Sequence, residues 1–313
     1  MTKKGTIAEA PRIHEVGLRD GLQMETQVVP LDTKVAWIEG LIESGIDLIQ
    51  VGSFVHPTKV PQMADTDALC RALSVRKVTG GKTVFSALVL NEKGLERGLA
   101  AGVNMFCMGV SASETHSRKN TGMTIAEATD RVISMAGNAE SAGKHVQVSV
   151  QSAFGCGYEG AVSQEKVLAI AGRFFDAGLR AVSLADTAGH ATPDKVERLF
   201  AALHTMNNDA EFSCHFHNTY GLGLANCYAA MNAGVEIFES SVAGLGGCPF
   251  TKVAGGNVCT EDLIHMLQHM DRCANIRLER IVAVAKDVSA FFCRDMPGTV
   301  YRTGPIPLGL SHA

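Results

Sequence analysis

Residues 176–186 read DAGLRAVSLAD: a small residue and a glycine, then a short apolar run. The same plan recurs at 43–53 (ESGIDLIQVGS), 100–111 (AAGVNMFCMGVS), 141–152 (SAGKHVQVSVQS) and 232–244 (NAGVEIFESSVAG). In each copy the glycine (Gly45, Gly102, Gly143, Gly178, Gly234) suits the left-handed position that closes a helix. The run behind it has the continuous, β-branched character of a parallel strand buried on both faces. A helical pattern precedes each copy, as in LDTKVAWIEGLIES at 31–44, where Asp32 reads as the N-cap. RIHEVGL (12–18), KTVFSALVL (82–90) and EFSCHFH (211–217) supply three further strands. Eight strands alternating with helices predict an α/β protein of the (β/α)8 TIM-barrel type. A doubly wound sheet is the competing arrangement, but no Gly-rich dinucleotide fingerprint follows the first strand. The barrel is expected over about 10–272. ANIRLERIVAVAKDVSAFF (274–292) begins an extra C-terminal helix and tail, at 273–313. With no low-complexity stretch or Pro/Ser-rich linker, residues 1–313 read as a single domain.

At 46% hydrophobic and 19% charged residues the chain can bury a large core. A net charge of −4 argues against a nucleic-acid partner, which calls for a basic surface. No stretch approaches the roughly 18 apolar residues of a membrane span. MTKKGTIAEAPR (1–12) has lysines with no apolar segment behind them, so no signal peptide is expected. The nine cysteines are scattered, without any C-x-x-C, which suits reduced thiols in the cytoplasm.

Active sites of such barrels lie at the carboxyl ends of the strands. The seventh strand runs into CHFHNTY (214–220), where His215 and His217 are two apart and so project from one face. Alone, an H-x-H is as easily a core histidine and a loop cap as a metal site. The other strand ends shift that balance. The first ends in EVGLRDG, offering Glu15, Arg19 and Asp20, and the second ends at Gln50 in QVGSF. The sixth ends in LADTAG with Asp186, and after the eighth comes GLGGCPFTKVAGGNVCTED (244–262) with Cys248 and Asn257. Asp20, His215, His217 and Asn257 would meet on one rim. Two imidazoles, a carboxylate and an amide oxygen suit octahedral Mn²⁺ or Mg²⁺, whereas structural zinc would favour the cysteines.

Arg19 reads either as a rim salt bridge to Asp20 or as the group that holds a developing enolate oxygen. Cys248 is either a passive small residue or a thiol carried on a Gly-rich lid that delivers a proton. Asp186 either caps the next helix or serves the site. SETHSRKNTG (113–122) reads mostly as a solvated loop whose Arg118 and Lys119 would meet a phosphorylated substrate tail.

EVGLRDGLQ (15–23), VGSFVHPTKVPQMAD (51–65), GCGYEG (155–160), LADTAGHATP (184–193), HFHNTYGLGLAN (215–226) and SVAGLGGCPF followed by GGNVCTEDL (241–250, 255–263) together resemble 3-hydroxy-3-methylglutaryl-CoA lyase. They also resemble the wider group of barrel metallolyases and Claisen-condensing enzymes. The resemblance implies a divalent cation, Mg²⁺ or Mn²⁺, at Asp20, His215, His217 and Asn257. It implies catalytic roles for Arg19, His215 and Cys248, with Asp186 and Glu15 contributing. The implied activity is retro-Claisen cleavage of a 3-hydroxyacyl-CoA to acetyl-CoA and a keto acid, with acetoacetate the default, by a homodimer in the cytoplasm. Four departures stand out. Leu18 and Gly157 replace prolines usual in the family, HPTKV replaces Ser-Pro-Lys-Trp-Val, and Gln50 replaces a glutamate. Gln50 keeps the hydrogen-bonding shape without the charge. The substrate is therefore either 3-hydroxy-3-methylglutaryl-CoA or a closely related 3-hydroxyacyl-CoA with a larger or differently charged group at C3. A condensing enzyme like isopropylmalate synthase and a catalytically impaired barrel with a binding role are the rival functions.

Overall fold

The computed structural model describes residues 11–75, 83–247 and 256–307. Eight parallel strands close into a barrel in sequence order: β1 (Arg12–Glu15), β2 (Leu48–Ser53), β3 (Val84–Leu88), β4 (Met105–Ser111), β5 (His145–Gln151), β6 (Ala181–Asp186), β7 (Glu211–Phe216) and β8 (Ile237–Ser240), the last pairing with the first. The helices between them are α1 (Leu31–Ser44), α2 (Thr66–Val75), α3 (Glu92–Ala100), α4 (Glu114–Thr121), α5 (Ile125–Ser141), α6 (Gln164–Asp176), α7 (Pro193–Met206) and α8 (Gly223–Asn232). After β8 come α9 (Thr260–Gln268), α10 (Leu278–Phe292) and α11 (Val300–Thr303). This is the TIM barrel that the repeat predicts, and α10 is the expected extra helix. It packs on α1, where Trp37 and Phe291 meet edge to face at 5.7 Å.

The five repeated glycines all have positive φ, between +72° and +92°. Only glycine adopts that conformation without a Cβ penalty, so each ends a helix and turns the chain into the next strand. Two local expectations need correcting. Pro30, not Asp32, is the N-cap of α1, and Asp32 lies in the first turn. There its carboxylate faces the positive end of the helix dipole. The segment 113–122 is not a loop: it forms α4, with the Ser113 hydroxyl accepting from His116 N–H and Gly122 closing the helix at positive φ.

Strand parity divides the molecule. Outward residues such as Val148, Val182, Phe212, Cys214 and Phe238 pack under the helices in the main apolar core. Inward residues form layers inside the barrel. Leu48, Met105, Cys107 and Ile237 make a small separate apolar plug near the bottom. Above it the inward positions turn polar: Gln50, Gln147, Ser183, His215 and Glu239. Among the described residues, no helix is long and apolar enough to cross a membrane.

Candidate active site

A cavity of about 300 Å³ opens at the carboxyl ends of the strands. Arg19 and Asp20 reach it from a wide helical turn, Gly17–Gly21, that follows β1 directly. His215 enters from β7 and His217 from just beyond its end, with ring centres 5.2 Å apart, as same-face spacing requires. Asn257 is brought alongside by backbone bridging between His217 and Asn257, and by Asn218 N–H donating to Gly256 O at 2.9 Å. Gly256 passes so close to the turn after β8 that a Cβ there would lie 2.2 Å from Gly244 O. Any side chain at 256 would therefore displace Asn257.

Asp20, His215 and His217 each offer a ligand atom within 4.8 Å of the others. Asp20 Oδ2 lies 3.8 Å from His215 Nε2 and accepts from Asn257 Nδ2 at 2.9 Å. Asp20 Oδ1 accepts from Arg19, whose Nε also donates to Gln50 Oε1. His217 Nδ1 and Asn257 Oδ1 are buried with no hydrogen-bond partner. Orphaned buried polar atoms cost about 1–3 kcal/mol each. Burial holds His217 down to about 4, with the charge of His215 adding to it, so its ring is neutral at physiological pH. Burial pushes the Asp20 carboxyl up, but Arg19 and the two histidines outweigh it and hold it well below its usual range. A neutral imidazole, an ionised carboxylate and a free amide oxygen are the forms in which such groups bind a divalent cation.

Glu239, which the sequence reading missed, completes the His215 environment. Its Oε2 lies 3.0 Å from His215 Nδ1, while Oε1 accepts from Gln147 Nε2 at 2.6 Å and Ser183 Oγ at 3.3 Å. Burial raises its carboxyl, but the His215 hydrogen bond and surrounding positive charge bring it down to about 2. This carboxylate keeps the His215 proton on Nδ1 and turns Nε2 toward Asp20. His215 itself is lowered by burial and raised more strongly by Glu239 and Asp20, with a net upward shift. The signal was present: Glu239 stands two residues after Ile237 in an alternating strand and pairs in register with His215.

Other expected residues fall elsewhere. Glu15 and Asp186 have outward parity and do not line the cavity. Glu15 accepts from Gly17 N–H, Val242 N–H and the Thr260 hydroxyl, pinning the turn after β8. Asp186 accepts from His190 and Ala191 N–H and so organises the loop before α7 rather than the end of that helix. Arg118 and Lys119 also lie outside the cavity lining. Arg118 pairs with Glu114 at 2.9 Å and Lys119 sits over the Tyr158 ring at 4.0 Å. From the same helix, His116 and Asn120 line the cavity instead. Cys248 lies outside the described residues.

The Glu15 clamp has a neighbour in Glu261, whose Oε2 accepts from Ala243 N–H at 3.0 Å. Burial pushes both carboxyls up to about 7. Each value is above the unfolded one, so the native state holds these protons more tightly. That contribution is complete below the ordinary carboxylate pKa of about 4.3 and is lost as pH rises through about 7. The urea midpoint should therefore fall between about pH 5 and pH 8, and Glu261→Gln should flatten the decline by on the order of 1 kcal/mol. An identical slope in wild type and Glu261→Gln would show that Glu261 does not titrate on folding.

The HMGL-like family model matches residues 10–288. Hydroxymethylglutaryl-CoA lyase YngG of Bacillus subtilis is 36% identical over 91% of this chain and 94% of its own length. The (R)-citramalyl-CoA lyase of Chloroflexus aurantiacus is 37% identical over 95% of this chain and 96% of its own. Among solved structures, an HMG-CoA lyase from Acinetobacter baumannii in complex with coenzyme A and 3-methylmalate aligns with a TM-score of 0.86 at 31% identity, covering 96% of this chain and 99% of that one.

Proposed function

This chain belongs to the HMGL-like family and is a carbon–carbon lyase, and from that premise we propose that it cleaves the C2–C3 bond of a 3-hydroxyacyl-CoA in a divalent-cation-dependent retro-Claisen reaction. The products are acetyl-CoA and a keto acid. The observation that carries this reading is the rim set of Asp20, His215, His217 and Asn257 beside Arg19, with two of its donor atoms lacking partners.

A divalent cation on Asp20, His215 Nε2, His217 and Asn257 Oδ1 would act as a Lewis acid toward the C3 hydroxyl and a nearby carboxylate. The hydroxyl proton passes to the Asp20 carboxylate, which has a second oxygen besides the one given to the cation, whereas His215 has Nε2 on the cation and its proton on Nδ1 toward Glu239. The oxygen's electron pair forms the ketone, the C2–C3 bond breaks, and its electrons pass to the thioester enolate. Arg19, oriented by Asp20 and Gln50, donates to that enolate oxygen. The Cys248 thiol returns a proton to C2, which balances the step without any oxidant or reductant. In this reading the enzyme works as a homodimer in the cytoplasm.

Acetyl-CoA release from a panel of 3-hydroxyacyl-CoA thioesters, with and without chelator, tests the proposal. Cleavage should stop on metal removal and return with Mn²⁺ or Mg²⁺. Undiminished turnover in the chelated, metal-free enzyme would reject the cation, and silence on every thioester would reject the lyase.

Gln50→Glu gives a second check. The added carboxylate would compete with Asp20 for Arg19 and place an unpaired charge beside the substrate. It should lower kcat/KM on the preferred thioester about tenfold (of the order a lost or misplaced polar contact costs). A rise in activity on 3-hydroxy-3-methylglutaryl-CoA to the best value of the panel would instead mark Gln50 as drift from that substrate.

A further inference from the structure

The cavity has two unlike halves. The β7–β8–β1 side holds the charged groups, whereas the β4–β6 side is floored by Gln147, Ser149 and Ser183, with Cys107 and Gln50 beside them. Among the described residues lining the cavity, Arg19 is the one lysine or arginine, and it is already engaged by Asp20 and Gln50. The carboxylate at the floor, Glu239, is negative and held in place by Gln147, Ser183 and His215. Gln147 spends its Nε2 on Glu239 and leaves Oε1 buried without a partner. Gly109 sustains the space on this side, because a Cβ there would lie 2.4 Å from Ser149 Oγ.

A tertiary carbon held over this floor turns one branch toward the rim and another toward β4–β6. A rim carboxylate has Arg19 and the cation set to meet it. A carboxylate pointing at the floor would face Glu239, and among the described residues the nearby cationic groups, Arg19 and His215, are already engaged by Asp20, Gln50 and Glu239 itself, so in this buried setting the like charges would repel. A plain alkyl branch would cover amides and hydroxyls with no donor for Gln147 Oε1, which a hydroxyl supplies. We propose that this floor selects 3-hydroxyacyl-CoA thioesters whose second C3 branch is uncharged and hydrogen-bonding, and that it turns away a branch carrying a second carboxylate. The proposal rests on the lyase reading above and names Gln147 and Glu239 as its specificity-determining pair.

The test uses the metal-loaded full chain and thioesters that share one carboxylate arm and differ in the other C3 branch: methyl, hydroxymethyl or carboxymethyl. The hydroxymethyl compound should exceed the carboxymethyl compound at least tenfold in kcat/KM, with methyl between them. Gln147→Arg places a cation against Glu239 and should raise the carboxymethyl-to-hydroxymethyl ratio at least tenfold. Should that variant not fold, Gln147→Leu, which keeps the volume and removes the amide, should reduce the preference for hydroxymethyl over methyl. Equal or better cleavage of the carboxymethyl thioester by the native enzyme would overturn the inference while leaving the lyase reading intact. So would a folded Gln147→Arg, or failing that Gln147→Leu, with an unchanged ratio. Acetyl-CoA from none of the thioesters would overturn the lyase reading, and this inference with it.

Discussion

His217→Ala is expected to weaken Mn²⁺ binding by at least about 100-fold while the barrel stays folded. The loss of an outer-shell partner alone typically costs 10–100-fold in metal affinity, so removal of a direct donor should cost no less. The neutral ring of His217 is the donor least compromised by competing protons or hydrogen bonds: its Nδ1 has no partner, and burial holds its titration to about 4. Its contribution to packing is small, because it stands beyond β7 at the cavity rim and outside the apolar core. Mn²⁺ electron paramagnetic resonance would measure free ion, and circular dichroism would report the fold. Wild-type Mn²⁺ affinity in a folded His217→Ala protein would remove His217 from the ligand set.

Arg19→Gln should lower kcat by about 10²–10³ with a smaller change in KM, as expected when a donor to a developing oxyanion is lost. The guanidinium uses Nε on Gln50 and a terminal nitrogen on Asp20, so its plane is fixed from two sides before substrate arrives. Arg19→Lys should recover little, since a single ammonium cannot hold both partners and still present a directed donor. Single-turnover kinetics would separate chemistry from binding. If Arg19→Gln changed KM alone, Arg19 would be a binding contact and the enolate would need another donor.

The barrel was legible because its signal is local and repeated. Five Gly-then-β-branched segments state both the helix end and the following buried strand, and all five glycines adopt positive φ. The histidine pair was legible for the same reason, since period-2 geometry puts His215 and His217 on one face whatever the rest of the chain does. Position at a strand end was a poorer guide. Glu15 and Asp186 end their strands, yet they point outward and stabilise loops, while Gln50, inside β2 rather than at its end, points inward to Arg19. The α4 segment was misread because Ser, Thr, Asn and charged residues resemble a loop in composition. Its helix depends on the Ser113 cap and the Gly122 terminus.

The sequence by itself determined the alternation of strand and helix, the count of eight strands, and the strand ends at which polar residues collect. These follow from hydrophobic periodicity and from glycine conformations, which act within a few residues of one another. Only the tertiary structure decided that Glu239 sits beneath His215, 24 residues away, and that Gln147, 92 residues from Glu239, shares its carboxylate. Those contacts depend on strand register and on the inward parity of neighbouring strands after closure. A shift of one residue in any strand would turn its whole inward set to the helices, which is why the floor of the cavity could be read only once the barrel was closed.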